Sequence, residues 1–562
     1  ESVDVSMYTR NNRAFTEQNN DLYLNMNKNF GTDGEISFSG LLGYNQRRSS
    51  FQSIYASTNG GLVVPGVYAL SNSVAAPAAP SEGSNTIGVD GIYGQASLGY
   101  QDFLYLDLSA RQDVSSTLPV ENNTYFYPAA SLSLIWSEFV DSDILSFGKL
   151  RANWANVGSD APANALVDAY GIGTPFNGTT LASAPSTQNN SMLLPEKTAS
   201  TELGLEVKMF DNRVGFDVSA YNRSTTNQIL PAQVSTATGT YYKYVNAGQI
   251  DNQGFEVSGY ITPVKTKDFQ WDVNINWSTN DNTVVSLFGD SESLLLGSVQ
   301  GGVNMTARVG ESYGTLEGTQ YVRAGGDGAP LVYDWSSSRG GARYYTGDVG
   351  VIGNVQADWR GGINNAISYK NVRLSALIDA QMGGNFFSLD TYYGYGTGVY
   401  DFQAGTNAAG NPIRTNVEDG GGLTFDEVAY LGIETPQQWD GVTVDADGNP
   451  VGTENSTPMW MNDYGNAMGW ALGGPKEMHI HDASFVKLRE VALTYTLPTS
   501  ALAGLPVAGV DVSFVGRNLA ILYKNTPWSD PEAGLAAGNL QGYQSGAYPT
   551  LREVGVNLRV KF

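Results

Sequence analysis

The chain has 562 residues, and its 55 acidic against 31 basic side chains give a formal charge of −24. A balance this acidic excludes a general nucleic-acid binder, which needs a basic face. The absence of cysteine removes disulfides, thiolate metal sites and Cys nucleophiles together, and no stretch approaches the ~18 uninterrupted apolar residues of a spanning helix. Glycine (66 residues) exceeds its usual ~7% share, and the 32 tyrosines outnumber Lys and Arg combined. The chain opens at Glu1 with no apolar signal core, so the reading expects a removed leader or a piece of a longer protein.

The dominant pattern has period two. Leu104, Leu106, Leu108 and Ala110 alternate with Tyr105, Asp107, Ser109 and Arg111. The same alternation runs through Leu203, Leu205, Val207 and Met209, through Val214, Phe216, Val218 and Ala220, through Trp271, Val273, Ile275 and Trp277, and through Val554, Val556, Leu558, Val560 and Phe562. Successive side chains of a strand face opposite sides, so each segment has one apolar and one polar face. Strands are placed near 22–30, 35–44, 92–100, 104–111, 128–136, 147–157, 198–209, 214–223, 253–262, 269–279, 359–369, 372–382, 485–497, 509–518 and 549–562. Val3, Val5 and Met7 could supply one more, and 306–323 another with a partner near 331–345.

Many of these segments exceed the ~5–6 residues of an ordinary strand and match the ~9–11 that cross a bilayer. Tyr44, Tyr100, Trp136, Tyr369 and Phe562 sit at the ends of apolar stripes, where an outer-membrane barrel places its aromatic girdles. Connections alternate between short (31–34, 101–103, 210–213, 370–371) and long (45–91, 158–197, 224–252, 280–358, 383–484, 519–548). A sandwich has no reason to sort its connections by end, whereas a membrane barrel does. The expected fold is therefore all-β, a transmembrane antiparallel β-barrel with long extracellular loops, despite a mean hydropathy of −0.22.

Several stretches resemble the SusC family of TonB-dependent outer-membrane transporters of Bacteroidetes. They are 194–206 (LPEKTASTELGLE), 245–256 (VNAGQIDNQGFE), 351–363 (VIGNVQADWRGGI, with Ala357 in place of the usual proline) and 481–498 (HDASFVKLREVALTYTLP). Gly516-Arg-Asn-Leu519, Asp530-Pro-Glu532 and Tyr548-Pro549 follow in the family order. Residues 1–190 match mainly in barrel pattern. The resemblance implies that 1–562 is the C-terminal part of a 22-stranded barrel, with the N-terminal extension and plug domain outside this chain. It also implies an importer of oligosaccharides or peptides in the outer membrane of a Gram-negative bacterium. Such an importer acts with a SusD-like surface lipoprotein and is energised by TonB-ExbB-ExbD through that N-terminal region. A passive porin, or a secreted soluble β-rich glycan-binding protein, is the alternative.

No residue set reads as an enzyme's. Asp530 and Glu532 are neighbours in sequence, but a glycosidase pair is defined by separation across a scissile bond. His479 and His481 at i, i+2 could share a metal, yet no third ligand is evident. The stretch 445–449 (DADGN) starts like a calcium loop, but Gly448 and Ser456 fall at the wrong positions, leaving calcium a minor option and no cofactor expected. The better candidates are aromatics of the 383–484 connection: Tyr392, Tyr393, Tyr395, Trp439, Trp460, Tyr464 and Trp470, with Tyr400 nearby. Rings cover sugar C–H faces while neighbouring amides and carboxylates bond hydroxyls, and peptides are served almost as well. Packing of the loop on itself is the competing reading. The polar rows, including Asp107, Arg111, Lys149, Arg151, Asn274 and Arg559, are expected to line the passage.

Overall fold

The computed structural model describes residues 6–31, 34–323, 330–334, 341–424, 442–443, 458–461, 474–535 and 538–562. A 16-stranded sheet dominates it. Fifteen of its strands run antiparallel in sequence order: β1 (Thr9–Phe30), β2 (Ile36–Ser57), β3 (Ser81–Tyr100), β4 (Leu104–Ser115), β5 (Thr124–Leu134), β6 (Leu145–Ser159), β7 (Glu196–Met209), β8 (Val214–Gln233), β9 (Tyr242–Lys265), β10 (Phe269–Ser286), β11 (Trp359–Tyr369), β12 (Val372–Met382), β13 (Phe485–Thr496), β14 (Gly509–Lys524) and β15 (Glu553–Lys561). Thr187–Gln188 adds a short parallel pairing to β9. Every strand placed from the alternation has its counterpart here. Among the described residues β1 and β15 are the sheet's two edges, and β1 is exposed along its whole length.

Register explains why the alternation is so regular. Phe38 lies opposite Leu98, Leu98 opposite Leu106, Leu106 opposite Leu132, and Leu132 opposite Ala152. Ala152 then faces Leu203, Leu203 faces Ala220, and Ala220 faces Phe255. Because the side-chain period is two, a slip of one residue anywhere would put a polar side chain into this row. The far side of the sheet repeats the arrangement, with Ile367, Leu374, Leu493, Phe514 and Val556 in one line. One polar side chain on this face, Asn365, accepts a 2.9 Å bond from the Trp271 indole N–H, which satisfies both within the apolar band.

The strands outrun the stripes at one end. β2 keeps its apolar face from Ile36 to Tyr44, then continues through Gln46 and Arg48 to Ser57 with no stripe at all. On that same face the Tyr44 hydroxyl donates to Asp90 at 2.9 Å, and Arg48 pairs with Asp90 at 2.7 Å. Tyr44 thus marks the upper limit of the band, while Tyr100 and Tyr369 sit beside the short turns at its lower limit. Above the limit both faces meet water or loops, so pairing persists after the period-two signal has vanished. Two of the expected connections are accordingly much shorter: 45–91 shrinks to 58–80 and 224–252 to 234–241. Trp136 occupies the 3₁₀ turn Trp136–Phe139, where its ring fills the space over Gly148.

The proposed extra strand at 306–323 does not join the sheet. Met7 precedes β1, and Val3 and Val5 lie outside the described residues. The 306–323 segment forms strands, but in a separate four-stranded sheet (Ser293–Ser298, Asn304–Arg308, Thr315–Tyr321, Thr346–Asn354) within the β10–β11 connection. That sheet needs no barrel partner because its apolar face packs on other connections. Val303, Met305 and Leu316 meet Phe387 and Leu389 of the β12–β13 connection and Tyr543 of the β14–β15 connection in one core. Burying a side chain of this size stabilises by ~1.5–3 kcal/mol, so these three connections form one folded cap.

Candidate functional site

The cap is organised around helix α1 (Leu389–Thr397). Ser388 caps it, accepting from the Thr391 amide at 3.1 Å, while its hydroxyl donates to Gln544 at 2.6 Å. Asp390, in the first turn, accepts from the Gly546 amide at 2.7 Å and from the Gln544 side-chain amide. A short mixed sheet joins Asn385–Ser388 to Ile480–Asp482 and Tyr543–Gln544. Three distant segments are therefore fixed around one helix.

Against this helix opens a pocket of about 470 Å³, lined among others by Asp390, Tyr393, Tyr400, Trp528, Ser529 and Ser545. Trp528 stacks on Tyr400 with ring centroids 4.3 Å apart and planes 29° apart. Burial raises the Tyr400 pKa, with the nearby Asp390 charge adding to it, so this hydroxyl is a neutral donor. The pocket offers aromatic faces, hydroxyls and a carboxylate, and its described lining holds no lysine or arginine. That chemistry suits neutral polar ligands with partly apolar faces.

The structure divides the sequence-predicted aromatics. Tyr393 lines the pocket and is 40% exposed, its hydroxyl donating to Gln300 at 3.0 Å. Tyr392 is half-buried beneath the Lys476 ammonium, 4.6 Å from its ring centroid. Tyr395 and Trp460 are corrections: both are fully buried, Tyr395 amid Tyr400, Phe402, His479 and Trp528, and so they hold the loop together. Trp439, Tyr464 and Trp470 lie outside the described residues, as does 445–449. Sequence reasoning missed Trp528, Ser529 and Asp390. Trp528 stands two residues before the Asp530-Pro-Glu532 motif, which was the available signal.

The two histidines support the pocket floor. Thr391 Oγ1 lies 3.2 Å from His479 Nδ1 and 3.3 Å from His481 Nε2, and it donates to the Ser388 carbonyl at 3.1 Å. With its only proton committed, the hydroxyl accepts from both rings, which fixes the protonated nitrogens. Burial pushes the His481 pKa down to about 4, so it is neutral. Among the described residues no group of three or more His, Asp and Glu could hold a metal ion.

The cap is latched to the polar face of the sheet. Lys487 of β13 is buried and reaches Asp530 and Glu532 at 2.5 Å each. Arg489 bridges Glu532 (2.5 Å) and Asp379 of β12 (2.7 Å). Burial raises the Asp530 carboxyl, but Lys487, the Thr550 hydroxyl and the Glu532 amide outweigh it and hold it low, at about 2. Asp530 and Glu532 therefore pin a loop. The same contacts identify the polar face as the one the connections fold onto.

Residues 2–376 match the family described as TonB dependent receptor-like, beta-barrel. The chain belongs to that family. Among curated relatives, TonB-dependent receptor P26 of Formosa agariphila is 28% identical over 508 residues, covering 84% of this chain and 46% of its own. TonB-dependent receptor SusC of Bacteroides thetaiotaomicron is 24% identical over 406 residues, covering 69% of this chain and 35% of its own. Among solved structures, that of the RagAB peptide transporter superposes with a TM-score of 0.72 at 18% identity, over 99% of this chain and 56% of that one. This likeness confirms the barrel fold of the family. The chain spans about half the length of the relatives it matches.

Proposed function

We propose that this chain is the greater part of the wall of an outer-membrane importer that takes up oligosaccharides or peptides. Its apolar face meets the lipid, its polar face lines the lumen, and the cap stands outside the cell. The observation that carries the reading is the register-aligned apolar band: Leu203 and Phe255 are 60% and 54% exposed, which suits hydrocarbon and not water. A soluble glycan-binding protein would have to cover these rows. A passive porin shares the band, but not the folded cap with its aromatic pocket or the match to TonB-dependent relatives.

In this mechanism a ligand is first held outside, against Tyr393, Tyr400, Trp528 and Asp390, beneath a SusD-like lipoprotein. The remaining strands and a plug belong to the part of the protein that the relatives' greater length supplies. TonB, driven by the inner-membrane proton gradient, acts on that part. The experiment is purification of the native protein in detergent, with mass spectrometry of the denatured complex. A lipidated companion and a longer polypeptide are expected. A water-soluble protein without either would overturn the reading.

A further inference from the structure

The excess of glycine and tyrosine has a structural meaning on the lumenal face. Gly43 lies opposite Tyr93, Gly99 opposite Tyr105, Gly215 opposite Tyr260 and Gly254 opposite Tyr221. In each pair a methyl group on the glycine would run into the tyrosine ring. The rings therefore lie along the wall across the glycine of the next strand, a known way of covering a glycine in a sheet. All four tyrosines are half-buried, with part of each ring left to the lumen. The pairs form two tiers: from Tyr221 to Gly215 along β8, and from Tyr93 to Gly99 along β3, the spacing is roughly 20 Å at ~3.3 Å per residue.

Between the tiers on β7–β10 the wall is recessed. A concavity of about 440 Å³ is lined by Arg151, Asp217, Glu256, Ser258, Asn276 and Ser278 among others. Arg151 is committed, with two 2.7 Å bonds to Asp217 and a third to Ser219. The side chains of Glu256, Ser258, Asn276 and Ser278, which pair through their backbones across β9 and β10, have no hydrogen-bond or ion-pair partner among the described residues. The recess thus presents a carboxylate, an amide and two hydroxyls to one space. Flat rings stand just beyond its two ends, and no cation in it is free.

We propose that this recess, with Tyr221 and Tyr260 at its ends, is a binding station in the passage for a neutral sugar unit of a glycan. Sugar hydroxyls pair with Glu256, Ser258, Asn276 and Ser278, while the ring faces of Tyr221 and Tyr260 receive the C–H faces of adjoining units. The site rejects sulfated or uronate-bearing chains, since Glu256 repels them and Arg151 is already neutralised. A peptide is a poorer fit, because the recess has no apolar pocket for side chains. The inference rests on the import reading and adds the ligand class and an inner station to it.

The test uses the full-length protein in cells, with two fluorescent probes, a neutral glucose hexasaccharide and an Ala/Ser-rich decapeptide. Surface binding is measured without proton-motive force and uptake with it. Asn276→Leu is expected to slow hexasaccharide uptake about tenfold, the scale of one lost hydrogen bond to a well-placed partner, and Tyr260→Leu by a similar factor through loss of the ring face. Surface binding stays unchanged, and Tyr260→Phe, which keeps the ring, takes up the probe normally. A sulfated hexasaccharide should not compete. Undiminished uptake in both Leu variants overturns the station, as does slowed peptide but unslowed glycan uptake. Entry of a large antibiotic into the Leu variants also overturns it, by showing that these residues seat the plug. If the unmodified protein takes up neither probe while its surface binds both, the import reading itself fails.

Discussion

Replacing Lys487 by Met tests the latch between cap and wall. The ammonium is 3% exposed and Asp530 4%, so the substitution strands a carboxylate that water cannot reach. Breaking a buried pair from one side typically destabilises by ~3–5 kcal/mol. Here the lower end applies, because Asp530 keeps the Thr550 hydroxyl (2.6 Å), the Thr550 amide (3.2 Å) and the Glu532 amide (3.0 Å), while Glu532 keeps Arg489. About 3 kcal/mol corresponds to a roughly hundredfold rise in the population with the β14–β15 connection open. Hydrogen exchange in the detergent-solubilised protein reads that population directly when closing outpaces exchange. The protected amides between residues 526 and 550 should exchange about a hundredfold faster, with the β3–β4 amides as an unaffected control. The paired variant Lys487→Met with Asp530→Leu should recover most of the protection, since an apolar pair of similar volume replaces a buried ion pair at little cost. Exchange within threefold of the unmodified protein would refute the latch.

Acid should release the same connection: the Asp530 pKa is lowered from 3.8 to about 2, so its contribution is complete above pH 4 and is lost as pH falls toward 2, readable by the same exchange experiment. Trp528→Ala removes the ring stacked on Tyr400 and should weaken ligand binding to the outer pocket about tenfold in calorimetry, with unchanged surface expression. Thr391→Val leaves two histidine N–H groups buried without their acceptor and should destabilise the cap by ~1–3 kcal/mol, seen as faster exchange at residues 479–482. Leu106→Arg, in the middle of the apolar band, should destabilise the folded barrel by ~2–4 kcal/mol in urea titration, whereas Ser131→Arg on the lumenal face should not.

The barrel strands were legible because lipid on one side and water on the other impose a strict alternation. Leu104 to Ala110 could be placed from spacing alone. Where that asymmetry ends, legibility ends with it: β2 beyond Tyr44 reads as loop because its apolar stripe stops, and β9 before Gln253 because its buried Val245, Ala247 and Ile250 pack on connections distant in sequence. Of the candidate site, Tyr393 was readable as a loop aromatic, but composition could not separate it from Tyr395, which is fully buried. That distinction depends on packing between connections more than a hundred residues apart, as when Trp528 meets Tyr395 and Tyr400. For His479 and His481 the sequence offered no third metal ligand and no hint of their surroundings. Their shared acceptor, Thr391, lies about ninety positions away and leaves no trace in local spacing.

The extension of β2 from Asn45 to Ser57 amounts to roughly 40 Å of strand at ~3.3 Å per residue, or about 30 Å of height at a ~40° tilt. β1 and β3 accompany it for most of that distance. The result is a stiff hydrogen-bonded collar that keeps three neighbouring strands in register well beyond the apolar band.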